Sequence, residues 1–200
     1  MLRVSGVVGR LVAVLLVVGI VAGTAWYVKA TVIDDAVDDA KAAFGISGDL
    51  APAPQLRGDD ARSLYAPANL RPALALLDDA VGGGVVTTLK VEPGALIATV
   101  LDGGGTGQLV QVGADGNVLV VEAAAPGDGF AVERIDPAVP GRIIVEAIGR
   151  AGAGIADVSY LVASLDVISG ELGWNVYLTA GAPQHFSADE HGGGLTAPGA

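Results

Sequence analysis

The side chains able to ligate a metal or move a proton are few in this chain. Histidine occurs twice, at His185 and His191. Asp189 and Glu190 lie between them, and imidazoles with carboxylates are the donor set of a borderline metal site. The competing reading is structural, one strand residue and one turn residue of the same hairpin. A serine nucleophile would need one of these imidazoles beside Ser159, Ser164 or Ser187, and no Gly-x-Ser-x-Gly elbow accompanies them. Cysteine is absent, which excludes disulfides, thiolate zinc sites and a thiol nucleophile. The glycine-rich stretches Gly149–Gly154 and Gly103–Gly107 lack a Gly-Lys-Ser/Thr ending and do not join a strand to a helix, so they read as turns rather than phosphate loops. Asp34/Asp38 and Asp35/Asp39 are i,i+4 pairs without an Asp-x-Asp-x-Asp-Gly loop, and Asp78/Asp79 close a helix; both groups read as solvated. A glycosidase pair needs two carboxylates about 5–10 Å apart across a cleft. No catalytic residue, cofactor-binding residue or metal ligand is assigned, and no cofactor is expected.

The elements that would position these groups follow from periodicity. Leu70, Ala73, Leu74, Leu77, Ala80 and Val81 keep helical spacing. Asn69 is expected to cap that helix, Pro72 to fall in its first turn, and Gly82–Gly84 to stop it. Strands are predicted over Val85–Val91, Ala95–Leu101, Gln108–Val112 and Val118–Val121, with turns at Pro93-Gly94, Gly103–Gly105 and Asp115-Gly116. A second helix is expected from an Asp136 cap with Pro137 at its first position. Its apolar stripe is Ile143, Ile144, Ala147, Ile148 and Ala151, and Gly152–Gly154 end it. Strands over Val158–Ile168, Gly173–Leu178 and Gln184–Ala188 follow, with Ser169-Gly170 as a turn. Trp174, Val176 and Leu178 should face the core, and Asn175, Tyr177 and Thr179 the solvent side. Residues 192–200 read as a frayed tail.

The order helix–strand–strand–strand thus occurs twice. Superposing the halves aligns Pro67-Ala68 with Pro137-Ala138, Gly82 and Gly84 with Gly152 and Gly154, and Val112–Asp115 with Phe186–Asp189. Each unit reads as a helix across an antiparallel sheet, which makes an α+β body. The expected organisation is an N-terminal anchor over 1–30, a stalk and linker over 31–62, α+β units over 63–125 and 126–193, and a disordered tail over 194–200.

Ala73 to Glu122 resembles a PepSY-type domain. The likeness lies in the helix, the glycine stop and strands ending in a V-x-A-D-G-x-V hairpin, here Val112-Gly113-Ala114-Asp115-Gly116-Asn117-Val118. The second unit is similar, with Trp174-Asn175-Val176-Tyr177-Leu178 on the middle strand and Asp189-Glu190-His191-Gly192 as the Asp-x-x-Gly turn. The first unit has Ala95–Leu101 where that tryptophan would stand. Asp115, Gly116, Trp174 and Asp189 therefore define the repeated hairpins. The resemblance implies a tandem, membrane-anchored bacterial protein of actinobacterial type whose modules bind peptides or restrain proteases. It supplies no catalytic residue.

A compartment follows from the N-terminal sequence. No side chain from Leu11 to Val28 is charged; Arg3 and Arg10 precede the run and Lys29 closes it. As a helix it spans about 27 Å, close to a bilayer core of about 30 Å, and Trp26 and Tyr27 suit the interface. A cleaved signal is the alternative, but its apolar region is usually about 7–15 residues. The basic residues favour a cytoplasmic N-terminus and an extracytoplasmic C-terminal part in the cell membrane. All 22 acidic residues lie beyond residue 30, against all but three of the 11 basic ones. Such a surface repels nucleic acid. The expected partners are the lipid bilayer, through the N-terminal helix, and a protein or peptide. The expected role is a non-catalytic binding or regulatory module. A cell-envelope hydrolase using carboxylates is one alternative. Another is a structural envelope protein that assembles through the small-residue face Gly19–Gly23.

Overall fold

The computed structural model describes residues 54–125 and 127–197. The expected anchor residues Arg10, Leu11, Trp26, Tyr27, Val28 and Lys29 lie outside the described residues, as do the stalk up to residue 53 and the last three residues. Among the described residues no helix is long and apolar enough to cross a membrane.

The fold is α+β. Helix α1 (Pro67–Val81) and strands β1 (Val85–Val91), β2 (Ala95–Leu101), β3 (Gly107–Gly113) and β4 (Val118–Glu122) precede helix α2 (Val139–Ala151) and strands β5 (Val158–Leu165), β6 (Leu172–Leu178) and β7 (His185–Asp189). The strands make one antiparallel sheet in the order β4-β3-β2-β1-β5-β6-β7. Leu70, Ala73, Leu74, Leu77 and Val81 form the buried stripe of α1, and Ile143, Ile144, Ala147 and Ala151 that of α2. Both helices end on a left-handed glycine, Gly82 and Gly152, whose amide returns to the carbonyl four residues earlier. These stripes join the inward residues of all strands but β4 in one apolar cluster. Pairing across the ladders matches large to small. Trp174 lies between Ala163 and Ala188, and Val176 between Leu161 and Phe186.

The helix starts differ from the expected caps. Helix α1 begins at Pro67, and the Asn69 amide donates instead to the carbonyls of Ala61 and Ser63 at 2.8 and 2.9 Å. Asp136 caps the turn before α2, accepting from the Ala138 amide at 2.9 Å. Residues 54–62, expected in the linker, pack on the sheet end: Gly58 is buried, and the Pro54 carbonyl lies against Gly94 in the β1–β2 turn. The tail is also held as far as residue 197. Leu195 is buried, Ser187 and Thr196 exchange both backbone hydrogen bonds at 2.8 Å, and Arg150 donates to the Leu195 carbonyl. Leu195 is the apolar contact that the glycine-rich composition of the tail obscures.

The two halves correspond strand by strand. A bulge follows Val86 in the β1–β2 pairing and Val158 in the β5–β6 pairing. Counting outward from these bulges, Leu96 corresponds to Trp174, Val110 to Phe186 and Val112 to Ala188. The sequence superposition of Val112 on Phe186 is therefore displaced by two residues, a slip that leaves inward and outward faces unchanged and so is invisible to alternation. In the corrected register Gly116 meets Gly192. Both have positive φ, +83° and +76°, and each donates to the carbonyl three residues earlier at 2.9 Å.

These glycines generate a testable contrast. Gly116→Ala meets only Leu76 Cδ1 at 4.0 Å, whereas Gly192→Ala places Cβ 3.1 Å from Ile143 Cγ1 and 3.2 Å from Val139 Cγ1. Backbone strain alone should cost about 1–2 kcal/mol at Gly116. Overpacking against α2 should add at least about 1 kcal/mol at Gly192. Urea denaturation of the two variants measures the difference, and equal losses would contradict this packing.

Candidate interaction surface

Both helices lie on the face of the sheet that carries the strand residues of the apolar cluster. The second face includes buried Gln111. Lys90 of β1, Tyr160 of β5, Tyr177 of β6 and His185 of β7 run across it. The Lys90 ammonium lies 4.5 Å from the Tyr160 ring centroid and pairs with Glu92. Tyr160 and Tyr177 are tilted at 4.7 Å, and Tyr177 stacks on His185 at 4.7 Å and 10°. Burial, then the Tyr177 and Glu92 charges, push the Tyr160 phenol up to about 12. Burial also raises the Tyr177 phenol and lowers the His185 imidazole. Asn175 Oδ1 accepts from the Ser187 hydroxyl at 2.8 Å and lies 3.1 Å from His185 Nε2. Ser187 thus spends its proton on an amide oxygen, and both groups serve as fixed polar contacts. Sequence alternation placed Tyr177 and Asn175 on this face but not the cross-strand ladder, which depends on register.

The expected site residues occupy separate places. Asp115 and Gly116 form the β3–β4 turn, where the Asp115 carboxylate accepts from the Asn117 amide and side chain at 3.2 and 2.7 Å. Asp189 does the same at the end of β7, accepting from the His191 and Gly193 amides at 2.9 and 2.7 Å. Trp174 is a core residue, 1% exposed. Glu190 binds Arg134 through two hydrogen bonds of 3.0 and 2.8 Å. That pairing holds its carboxyl below the usual range and raises the Arg134 guanidinium. Asp189 and Glu190 are therefore engaged in a turn and an ion pair. Among the described residues no three His, Cys, Asp or Glu side chains are grouped to hold a metal ion.

The two sheet edges are unlike. At β7 the outward groups of Ser187 are taken by Thr196. At β4 the ladder bonds Gly113 N–H to Asn117 O and Ala123 N–H to Gly107 O fix the alternation. Residues 119 and 121 bond inward to β3, so Val118, Val120 and Glu122 point their backbone groups outward. No described strand pairs with that edge. Val118 and Val120 are 42% and 45% exposed. The strand reads VLVVE, without the lysine, proline or bulge that usually protects an edge.

No protein-family model, no curated protein and no solved structure matches the chain.

His185 provides a pH test of the second face. Burial favours its neutral ring in the folded state, so the unfolded chain takes up the proton first as pH falls through its ordinary value of 6.5. Stability should fall as pH drops from about 7 toward 5, then level once the folded ring is protonated. His185→Gln should have the shallower slope in urea midpoints over this range. Equal slopes, or an NMR titration of His185 centred at or above 6.5, would contradict the burial described.

Proposed function

We propose that this protein is a single-pass, membrane-anchored extracytoplasmic module, non-catalytic, that binds an extended peptide or protein segment as an added strand along β4. The exposed, outward-bonding β4 edge carries this reading. An incoming strand would find donors and acceptors at Val118, Val120 and Glu122, with apolar side chains on both faces of the strand for its alternate residues. An apolar segment with basic flanks suits the acidic domain. The uncharged run from Leu11 to Val28 supports the anchor, and the paired helix-and-strand order supports two PepSY-like units produced by duplication. Under this reading residues 31–53 connect anchor and domain, and the second unit's capped edge leaves β4 as the binding edge.

Val120→Pro separates binding from folding. The Val120 amide points away from β3, so proline there removes a donor needed by a partner but none used by the ladder. Peptides selected from a displayed random library against the full-length protein in nanodiscs should slow hydrogen exchange at Val118–Glu122. Val120→Pro should weaken them at least about tenfold with little change in melting temperature. Selected peptides that protect other strands, or bind the variant equally, would sink the proposal.

A further inference from the structure

The strand predicted over Val158–Ile168 ends at Leu165. Asp166 stops it: its carboxylate accepts from the amides of Ile168 and Ser169 at 2.9 and 2.8 Å, drawing the chain out of the ladder. Val167 and Ile168 consequently form the tip of the β5–β6 hairpin, 87% and 97% exposed. They are adjacent, and no other large apolar side chain among the described residues is as exposed.

Hydrogen bonds within the turn hold the shape of this tip. The Asp166 amide donates to the Glu171 carbonyl and the Gly170 amide to the Asp166 carbonyl, both at 2.8 Å. The Glu171 amide donates to Ser169 Oγ at 3.2 Å. With the two bonds to the Asp166 carboxylate, the amides of Asp166, Ile168, Ser169, Gly170 and Glu171 are all satisfied within the turn.

We infer that Val167 and Ile168 are a membrane-contacting tip that inserts into a bilayer of zwitterionic lipid. Asp166 and Glu171 flank the tip. The amides of Ser169 and Ile168, then the Ser169 hydroxyl, hold the Asp166 carboxyl below its ordinary range, so it stays charged at headgroup level and confines insertion to the two side chains. The same charges disfavour anionic headgroups. No lysine or arginine follows Arg150 to offset them.

The reach of the chain is adequate. Strand β5 runs antiparallel to β1, so the tip projects at the Val85 end of β1. Pro54 lies beside Gly94 at the opposite end. Seven strand residues separate the two ends, about 23 Å. Residues 29–53 can extend about 80–90 Å at about 3.3–3.6 Å per residue, enough to return the tip to the membrane that holds Leu11–Val28. Two side chains bind a bilayer only marginally by themselves, and a tether supplies the effective concentration that makes such contact persistent. In this respect the inference rests on the anchor proposed above.

The absence of native cysteine permits single-site labelling. The full chain carrying Ser169→Cys, Val145→Cys or Val18→Cys is labelled with an environment-sensitive fluorophore and reconstituted into phosphatidylcholine vesicles containing doxyl-lipid quencher. Val145 is a solvent control on α2, 68% exposed. The Ser169 label should be quenched at least about threefold more than the Val145 label. That excess should vanish when Val167→Ser and Ile168→Ser are added, substitutions at exposed sites that leave the core intact. Quenching at Ser169 no greater than at Val145, or insensitive to the double substitution, overturns the inference. The Val18 label reports the anchor separately. Quenching there but not at Ser169 defeats the tip alone, and quenching at Ser169 but not at Val18 defeats the anchor and with it the tethered contact argued here.

Discussion

The pairing of β1 with β5 is the constraint from which the rest of the architecture follows. Four register pairs, from Thr88 with Ser164 to Val91 with Leu161, join the two helix-and-strand halves. On the helix side Leu89 meets Ala163 and Val91 meets Leu161, all without solvent exposure. Tyr65, in the segment before α1, reaches the far half and donates its hydroxyl to the carbonyls of Val158 and Ser159 at 3.4 and 3.0 Å. Burial, with the Glu92 charge, raises its phenol, so it stays a donor. One core therefore serves both halves. Neither three- or four-stranded half would close its apolar face without the other.

The seam also decides which strands lie at the edges of the sheet. A sheet has two edges, and joining β1 to β5 places them at β4 and β7. The second half uses its C-terminal segment to satisfy Ser187, whereas the first half continues into a full fourth strand whose outward groups are left at the rim. This asymmetry between two otherwise corresponding halves is what distinguishes the β4 edge from the β7 edge. The hairpin tip at Val167–Ile168 belongs to the same logic, since the shortened β5 ends where its seam partner β1 begins.

The helices, their glycine stops and the strands were legible because their patterns are local. Leu70, Ala73, Leu74 and Leu77 announce a helix stripe, and Trp174, Val176 and Leu178 alternate as a half-buried strand should. Register was not legible, because a slip of two residues preserves every inward and outward assignment; the hairpin correspondence was misplaced by that amount. Asp166 was missed as a strand breaker because Val167 and Ile168 are strong strand formers, and only the hydrogen bonds to its carboxylate reveal the turn. Leu195 was hidden in a glycine-rich tail. The candidate surface itself was the least legible part. An unpaired edge and a cross-strand ladder are properties of which strands are neighbours, and no spacing along the chain encodes that order.

Native-state hydrogen exchange along the seam tests this account most directly. Amides of β1, β2, β5 and β6 that are bonded within the sheet should exchange only through global unfolding, at one common free energy and with one common denaturant dependence. If the amides of β5 and β6 instead exchange at a distinctly lower free energy than those of β1 and β2, the halves open independently. The shared core, and with it the placement of the two edges, would then be wrong.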